Sequence, residues 1–201
     1  MKIVFTGGGT GGHIMPIIAI GEEVKKLAPG IELHYIGSKA DCILPSQEGL
    51  KIHAIAAGKM RRYFSFQNFI DLPFKIPFSF FQSFFLLLFV RPALVFSKGG
   101  TGSLPVTYCS KLLRTPVFIH ESDMVPGLAN KISSKWAKKV FVSFENTEYF
   151  KRDKMIFVGN PIRKNLLGGN IEDARRSLNL ASQKPVIMIL GGSQGAQSIN
   201  E

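Results

Sequence analysis

Ile3-Val4-Phe5-Thr6-Gly7-Gly8-Gly9-Thr10-Gly11-Gly12-His13-Ile14 joins a short apolar run to a glycine loop and then to a helix-like stretch. Glycines let the backbone turn sharply there, and their N–H groups stay clear of side chains. The helix that follows aims the positive end of its dipole at the same point. The unit then repeats. Apolar runs at residues 3–6, 31–36, 52–55, 93–97, 116–119, 139–142, 155–158 and 186–190 alternate with helical patterns at 14–27, 77–90, 103–113, 127–137 and 171–178. Several runs are continuously apolar, as strands buried on both faces are. Strand, crossover helix and strand in repetition predict an α/β fold with a doubly wound parallel sheet.

Composition agrees. Of 201 residues 45% are hydrophobic and 19% charged, which excludes a disordered chain. Twenty-five basic against fourteen acidic side chains leave +11, a balance that favours an anionic partner. Cys42 and Cys109 are too few and too far apart for a disulfide scaffold or zinc ribbon, and read as buried hydrophobes in a reducing compartment. The amino terminus lacks a signal-peptide pattern, so a cytoplasmic location is expected. No His/Asp/Glu cluster suggests a metal site, and no metal or cofactor is expected.

Two more glycine loops follow apolar runs. Lys98-Gly99-Gly100-Thr101-Gly102-Ser103 precedes a helix that Ser103 is placed to cap, and Gly191-Gly192-Ser193-Gln194-Gly195-Ala196 opens another unit near the last residue. Between them Gly159-Asn160-Pro161-Ile162-Arg163 breaks the pattern as a turn does. The boundary predicted is one domain over residues 1–163, with residues 164–201 a linker and the first unit of a second, truncated α/β domain. Gly7, Gly9 and Gly12 also satisfy the dinucleotide fingerprint, but the second strand ends in Gly37-Ser38-Lys39 without the carboxylate that would hold a ribose. Ser38 and Lys39 leave a phosphate-bearing nicotinamide cofactor, and hence an oxidoreductase, as the alternative.

The stretches Thr6 to His13, Ser97-Lys98-Gly99-Gly100, His120-Glu121-Ser122-Asp123, Pro126-Gly127-Leu128-Ala129-Asn130-Lys131, Gly159 to Arg163 and Gly191 to Ala196 occur in one order. Together the chain resembles the MurG family, peptidoglycan N-acetylglucosaminyltransferases of GT-B fold that convert lipid I to lipid II. The resemblance runs from Met1 to Glu201 and implies the amino-terminal, acceptor-binding part of an inverting, metal-independent hexosyltransferase. It implies UDP-N-acetylglucosamine as donor and a polyprenyl-diphosphate-linked muramoyl pentapeptide as acceptor, with roles in cell-wall growth and division. By that comparison most of the donor domain is absent, and the 201 residues alone are expected to be inactive. A lipid-binding half-protein without catalysis is a further alternative.

The resemblance also implies roles. His13 matches the base that takes the acceptor proton, and Glu121 a catalytic acidic residue of the same cleft that orients the base or the acceptor sugar. Thr10, Gly11, Gly12, Arg163 and Ser193 match donor-contacting positions; Asp123 does too, though many members carry an amide there. Gly99, Gly100 and Thr101 match the acceptor or diphosphate loop, where many members carry an aromatic in place of Thr101. His34 and His53 match no motif and read as structural.

Eleven of the seventeen Phe fall between Phe64 and Phe96. The pattern at 77–90 is apolar except for a stripe of Ser79, Gln82 and Ser83. At about 21 Å it is shorter than a bilayer core of roughly 30 Å, and Lys75 and Arg91 are expected to close it off. Nine basic residues against Asp71 alone lie between Gly49 and His120. Aromatics beside cations predict peripheral attachment to an anionic membrane on its cytoplasmic side, through Arg61, Arg62, Phe64 and part of this helix. No nucleic acid is expected as a partner, since no recognisable module accompanies the charge.

Overall fold

The computed structural model of the chain describes residues 1–58, 71–180 and 185–191. Strands β1 (Lys2–Gly8), β2 (Glu32–Ser38), β3 (Lys51–Ile55), β4 (Leu94–Gly100), β5 (Val117–Glu121), β6 (Lys139–Val142) and β7 (Met155–Phe157) form one parallel sheet in the order β3-β2-β1-β4-β5-β6-β7. Helices α1 (Gly11–Leu27), α2 (Ile43–Gln47), α3 (Ile76–Val90), α4 (Ser103–Leu112), α5 (Leu128–Ser133) and α6 (Ile171–Ser177) connect or follow them.

The continuous apolar runs are explained by burial on both faces. On β1, Ile3 and Phe5 pack with Ile17 of α1, Leu33, Tyr35 and Leu50, while Val4 between them packs with Leu87 and Val90 of α3 and Val106 of α4. Side chains alternate along a strand, so a strand covered on both sides needs apolar residues at every step. From β1 the chain winds outward to β2 and β3, then crosses back over β1 to lay down β4 to β7 on the other side. The reversal falls between β1 and β4, and the crevice beyond the carboxyl ends of those strands is where open α/β sheets take ligands.

Three expectations need correction. Residues 186–190 form no strand: they are irregular and exposed, reaching 87% at Ile187. A strand is held by its ladder, and no described strand pairs with this run. Ser103 does not cap α4. Gly102 takes the cap position at φ +80°, which suits glycine, and Ser103 inside the first turn donates to the Gly100 carbonyl at 2.9 Å. Nor does Lys75 end the Phe-rich helix, because a π-helical turn at Asp71–Lys75 runs into α3 and tolerates Pro77 in its first turn.

By length and composition Pro73–Val90 is therefore long and apolar enough to cross a membrane. Its inner face is already used by the domain, with Leu87 and Val90 in the core and Gln82 accepting the Ala56 N–H at 2.7 Å. The helix is turned inside out. Ser79 and Ser83, of the polar stripe, are buried, whereas Phe78, Phe81, Phe85 and Phe89 are exposed.

Candidate functional site

The two glycine loops at the β1/β4 junction touch. Gly7 and Gly8 stand opposite Gly99 and Gly100, and the Thr101 N–H donates to the Gly8 carbonyl at 3.2 Å. Gly100 has φ +81°, and a Cβ there would lie 2.0 Å from the Gly8 oxygen, so only glycine fits. Beside the junction opens a cavity of about 320 Å³ lined by His13, Gly100, Thr101 and Asp123 together with apolar Ile76, Phe80, Leu104 and Leu128.

His13 lies in the first turn of α1, where its Nδ1 and the Thr10 hydroxyl are 2.9 Å apart. Thr10 is the residue before the helix and spends its side chain on this imidazole instead of capping. With Nδ1 engaged, Nε2 is the nitrogen left to exchange a proton. Burial, and then the positive charge of Lys98, hold His13 below its ordinary pKa of 6.5; Glu121, Asp123 and Asp41 pull the other way with less effect. Near neutral pH the ring is therefore a free base.

Glu121 ends β5 and is buried. Its Oε1 accepts the Asp123 N–H at 3.1 Å, and its Oε2 accepts the Gly127 N–H at 3.1 Å and the Asn130 side-chain amide at 3.0 Å. It braces the loop at residues 122–127, whose Asp123 and Gly127 line the cavity. Its partners are thus loop and helix donors, and Thr10 instead is the hydrogen-bond partner of the His13 ring.

Of the residues singled out by sequence, His13, Gly100, Thr101 and Asp123 line one cavity. Gly99 backs it, at φ +84° with Asn130 packed where a Cβ would stand. Gly11 and Gly12 form the first residues of α1. Arg163 sits just before a short 3₁₀ turn, Lys164–Leu166, and does not line the cavity. Arg61, Arg62, Phe64 and Ser193 lie outside the described residues. His34 and His53 stack at 5.2 Å on β2 and β3, away from the cavity. Among the described residues no group of three or more His, Cys, Asp and Glu gathers as a metal site would need.

Three polar residues were not singled out. Lys98, 1% exposed, donates to the Ser122 hydroxyl at 2.6 Å; burial lowers its pKa, opposed by Glu121 and Asp123. Its place at the head of the second loop, directly after the apolar run at 93–97, is the available signal. Asn130 donates from its amide to the His120 carbonyl and to Glu121, tying α5 to β5. Asp41 accepts the Gly9 N–H at 2.8 Å. Ser38, which the nicotinamide reading needed for a phosphate, gives its hydroxyl to the same carboxylate. That alternative has no support here.

Residues 3–142 match the glycosyltransferase family 28 N-terminal domain. The chain is 43% identical over 213 residues to a UDP-N-acetylglucosamine--N-acetylmuramyl-(pentapeptide) pyrophosphoryl-undecaprenol N-acetylglucosamine transferase of Treponema denticola, covering 99% of this chain and 54% of the relative. A protein of the same description from Borrelia hermsii is 43% identical over 204 residues, covering 100% and 56%. The chain thus spans about half the length of these relatives. Among solved structures it is similar to MurG of Acinetobacter baumannii, with TM-score 0.65 and 25% identity over 81% of this chain and 46% of that one. A UDP-GlcNAc 2-epimerase from Neisseria meningitidis, 16% identical with TM-score 0.56, shares the fold.

Proposed function

The chain belongs to glycosyltransferase family 28, and from that premise we propose that it is the acceptor-binding part of an inverting N-acetylglucosaminyltransferase. The donor in this reading is UDP-N-acetylglucosamine, and the acceptor is a polyprenyl-diphosphate-linked muramoyl pentapeptide, lipid I. The observation that carries it is the imidazole of His13, held on Nδ1 by Thr10 and kept unprotonated by burial at the mouth of the cavity.

Nε2 takes the proton of the acceptor hydroxyl as its oxygen attacks the anomeric carbon of N-acetylglucosamine. The bond from that carbon to the UDP oxygen breaks with its electron pair, and the sugar's configuration inverts. Residues 1–163 form the acceptor domain in this proposal, and residues 164–201 lead into a donor-binding domain. Thr10, Gly11, Gly12, Asp123, Arg163 and Ser193 contact the donor; Gly99, Gly100 and Thr101 meet the acceptor diphosphate. Ile76 and Phe80, on the apolar side of the cavity, belong to α3, whose Phe78, Phe81, Phe85 and Phe89 face outward. We place that face, with Arg61, Arg62 and Phe64, on an anionic membrane at its cytoplasmic side.

The test is transfer of labelled N-acetylglucosamine from UDP-N-acetylglucosamine to a lipid I analogue by the complete protein. Wild type is expected to transfer, and His13→Ala to lose about 10²–10⁴-fold in kcat with its fold intact. Retention of more than about a tenth of the rate removes His13 as the base. No transfer by wild type overturns the function.

A further inference from the structure

The first glycine loop is already occupied by an anion of the protein's own. Asp41 lies three residues past β2, only 7% exposed. Its Oδ1 accepts the Gly9 N–H at 2.8 Å, its Oδ2 accepts the Ser38 hydroxyl, and its own N–H donates to the Ser38 carbonyl at 3.0 Å. The carboxylate lies flat against Gly8, where a Cβ would stand 2.3 Å from Oδ2 and 2.6 Å from Cγ. Two residues before Gly9, the Tyr35 hydroxyl donates to the Gly7 carbonyl. Room for that ring comes from Gly37, whose Cβ would fall 2.7 Å from the Tyr35 oxygen. β2 and the turn after it therefore grip the loop at both Gly7 and Gly9.

An amide in a glycine loop that bonds a carboxylate has given up the hydrogen bond it would offer a phosphate oxygen. The buried negative charge also repels a second anion placed on the same amide, at a distance where the protein screens poorly. What the carboxylate does is hold Gly9 still, and Gly9 is followed directly by Thr10, whose hydroxyl orients His13. We infer that Asp41 is a positioning residue that fills the anion position of the first glycine loop, so that Gly9 takes no substrate phosphate and Thr10 holds His13 facing the cavity. The catalytic half of this inference rests on the proposed transferase reading; the occupied loop does not.

Two arms test it. In the first, inorganic pyrophosphate is titrated into the chain while the Gly9 amide is followed by NMR. Wild type is expected to show no coupling of that amide to phosphorus across a hydrogen bond, and Asp41→Ala to gain one. In the second, kcat and KM are measured with the complete protein. Asp41→Ala is expected to lose about 10- to 100-fold in kcat with the donor KM within about twofold, as for a misplaced base. Asp41→Asn keeps an oxygen for the Gly9 N–H but not the charge, and is expected to recover part of that loss. A phosphorus coupling at Gly9 in wild type overturns the inference, as does wild-type kcat in both variants or a loss confined to KM. Should Asp41→Ala not fold, the wild-type titration and the Asn variant's kcat still decide. Absence of transfer by wild type sinks the transferase reading and leaves the pyrophosphate arm to judge the occupied loop.

Discussion

Lys98 and Ser122 meet 2.6 Å apart, ammonium to hydroxyl, and so set a buried positive charge between β4 and the loop that follows β5. That charge ranks second to burial among the causes that lower the pKa of His13. The sign is simple. A base must be unprotonated to work, so the acid limb of kcat/KM, or the NMR titration of the ring, is expected to have its midpoint below 6.5.

Replacing Lys98 by Met removes the second cause and leaves the first. The His13 midpoint is then expected to move up toward 6.5, and activity on the acid side to fall. Identical midpoints in wild type and Lys98→Met refute this coupling.

Glu121→Gln separates a charge effect from a bonding effect. The carboxylate accepts from Asp123 at one oxygen and from Gly127 and Asn130 at the other. A glutamine has one acceptor, so in either orientation its NH₂ group faces an N–H. Loss of about 1–3 kcal/mol in urea unfolding is expected, because buried donors are left unmatched. A variant as stable as wild type shows that the brace matters less than its geometry implies.

His120 links acid stability to the turn at Gly159. Its Nε2 bonds the Gly159 carbonyl at 2.9 Å, and burial, the dominant cause, lowers its pKa to about 4. The unfolded chain takes up the proton near 6.5 and the folded chain only near 4. Stability from this group is thus full above pH 6.5 and drains away as pH falls to 4, on the order of 3 kcal/mol in all. Unfolding at pH 7 and pH 4.5 is expected to show a smaller pH loss in His120→Gln than in wild type.

Sequence made the sheet legible because burial on both faces writes itself as unbroken apolar runs; β1 through β7 were all anticipated. The run at 186–190 read the same way, yet apolar composition supplies no partner, and the residues stand exposed. His13, Gly100 and Thr101 were legible through glycine spacing and the family resemblance. Asp41 was not. Its role depends on a contact spanning 32 positions, and a carboxylate folded back onto the loop lies past the strand end where a ribose-binding one would stand. The polar stripe of α3 misled differently: Ser79 donates to the Ile76 carbonyl within its own helix, and both serines can face the core while the Phe side faces out.

That outward face yields the last prediction. Phe81, Phe85 and Phe89 are 62%, 52% and 81% exposed, so replacing them with Ser removes little folded-state packing. Thermal or urea unfolding is expected to shift by less than about 1 kcal/mol per site, since surface changes outside caps and cores are usually small. Membrane binding behaves oppositely. Each Phe that enters an interface contributes up to about 1.5–3 kcal/mol of apolar burial, so the triple variant is expected to bind anionic vesicles at least about tenfold more weakly. Sedimentation with phosphatidylglycerol vesicles at low and high salt measures it. Wild type that stays in the supernatant at low salt refutes the docking proposal. Equal pelleting of wild type and triple variant leaves binding to the basic residues alone and removes α3 from it.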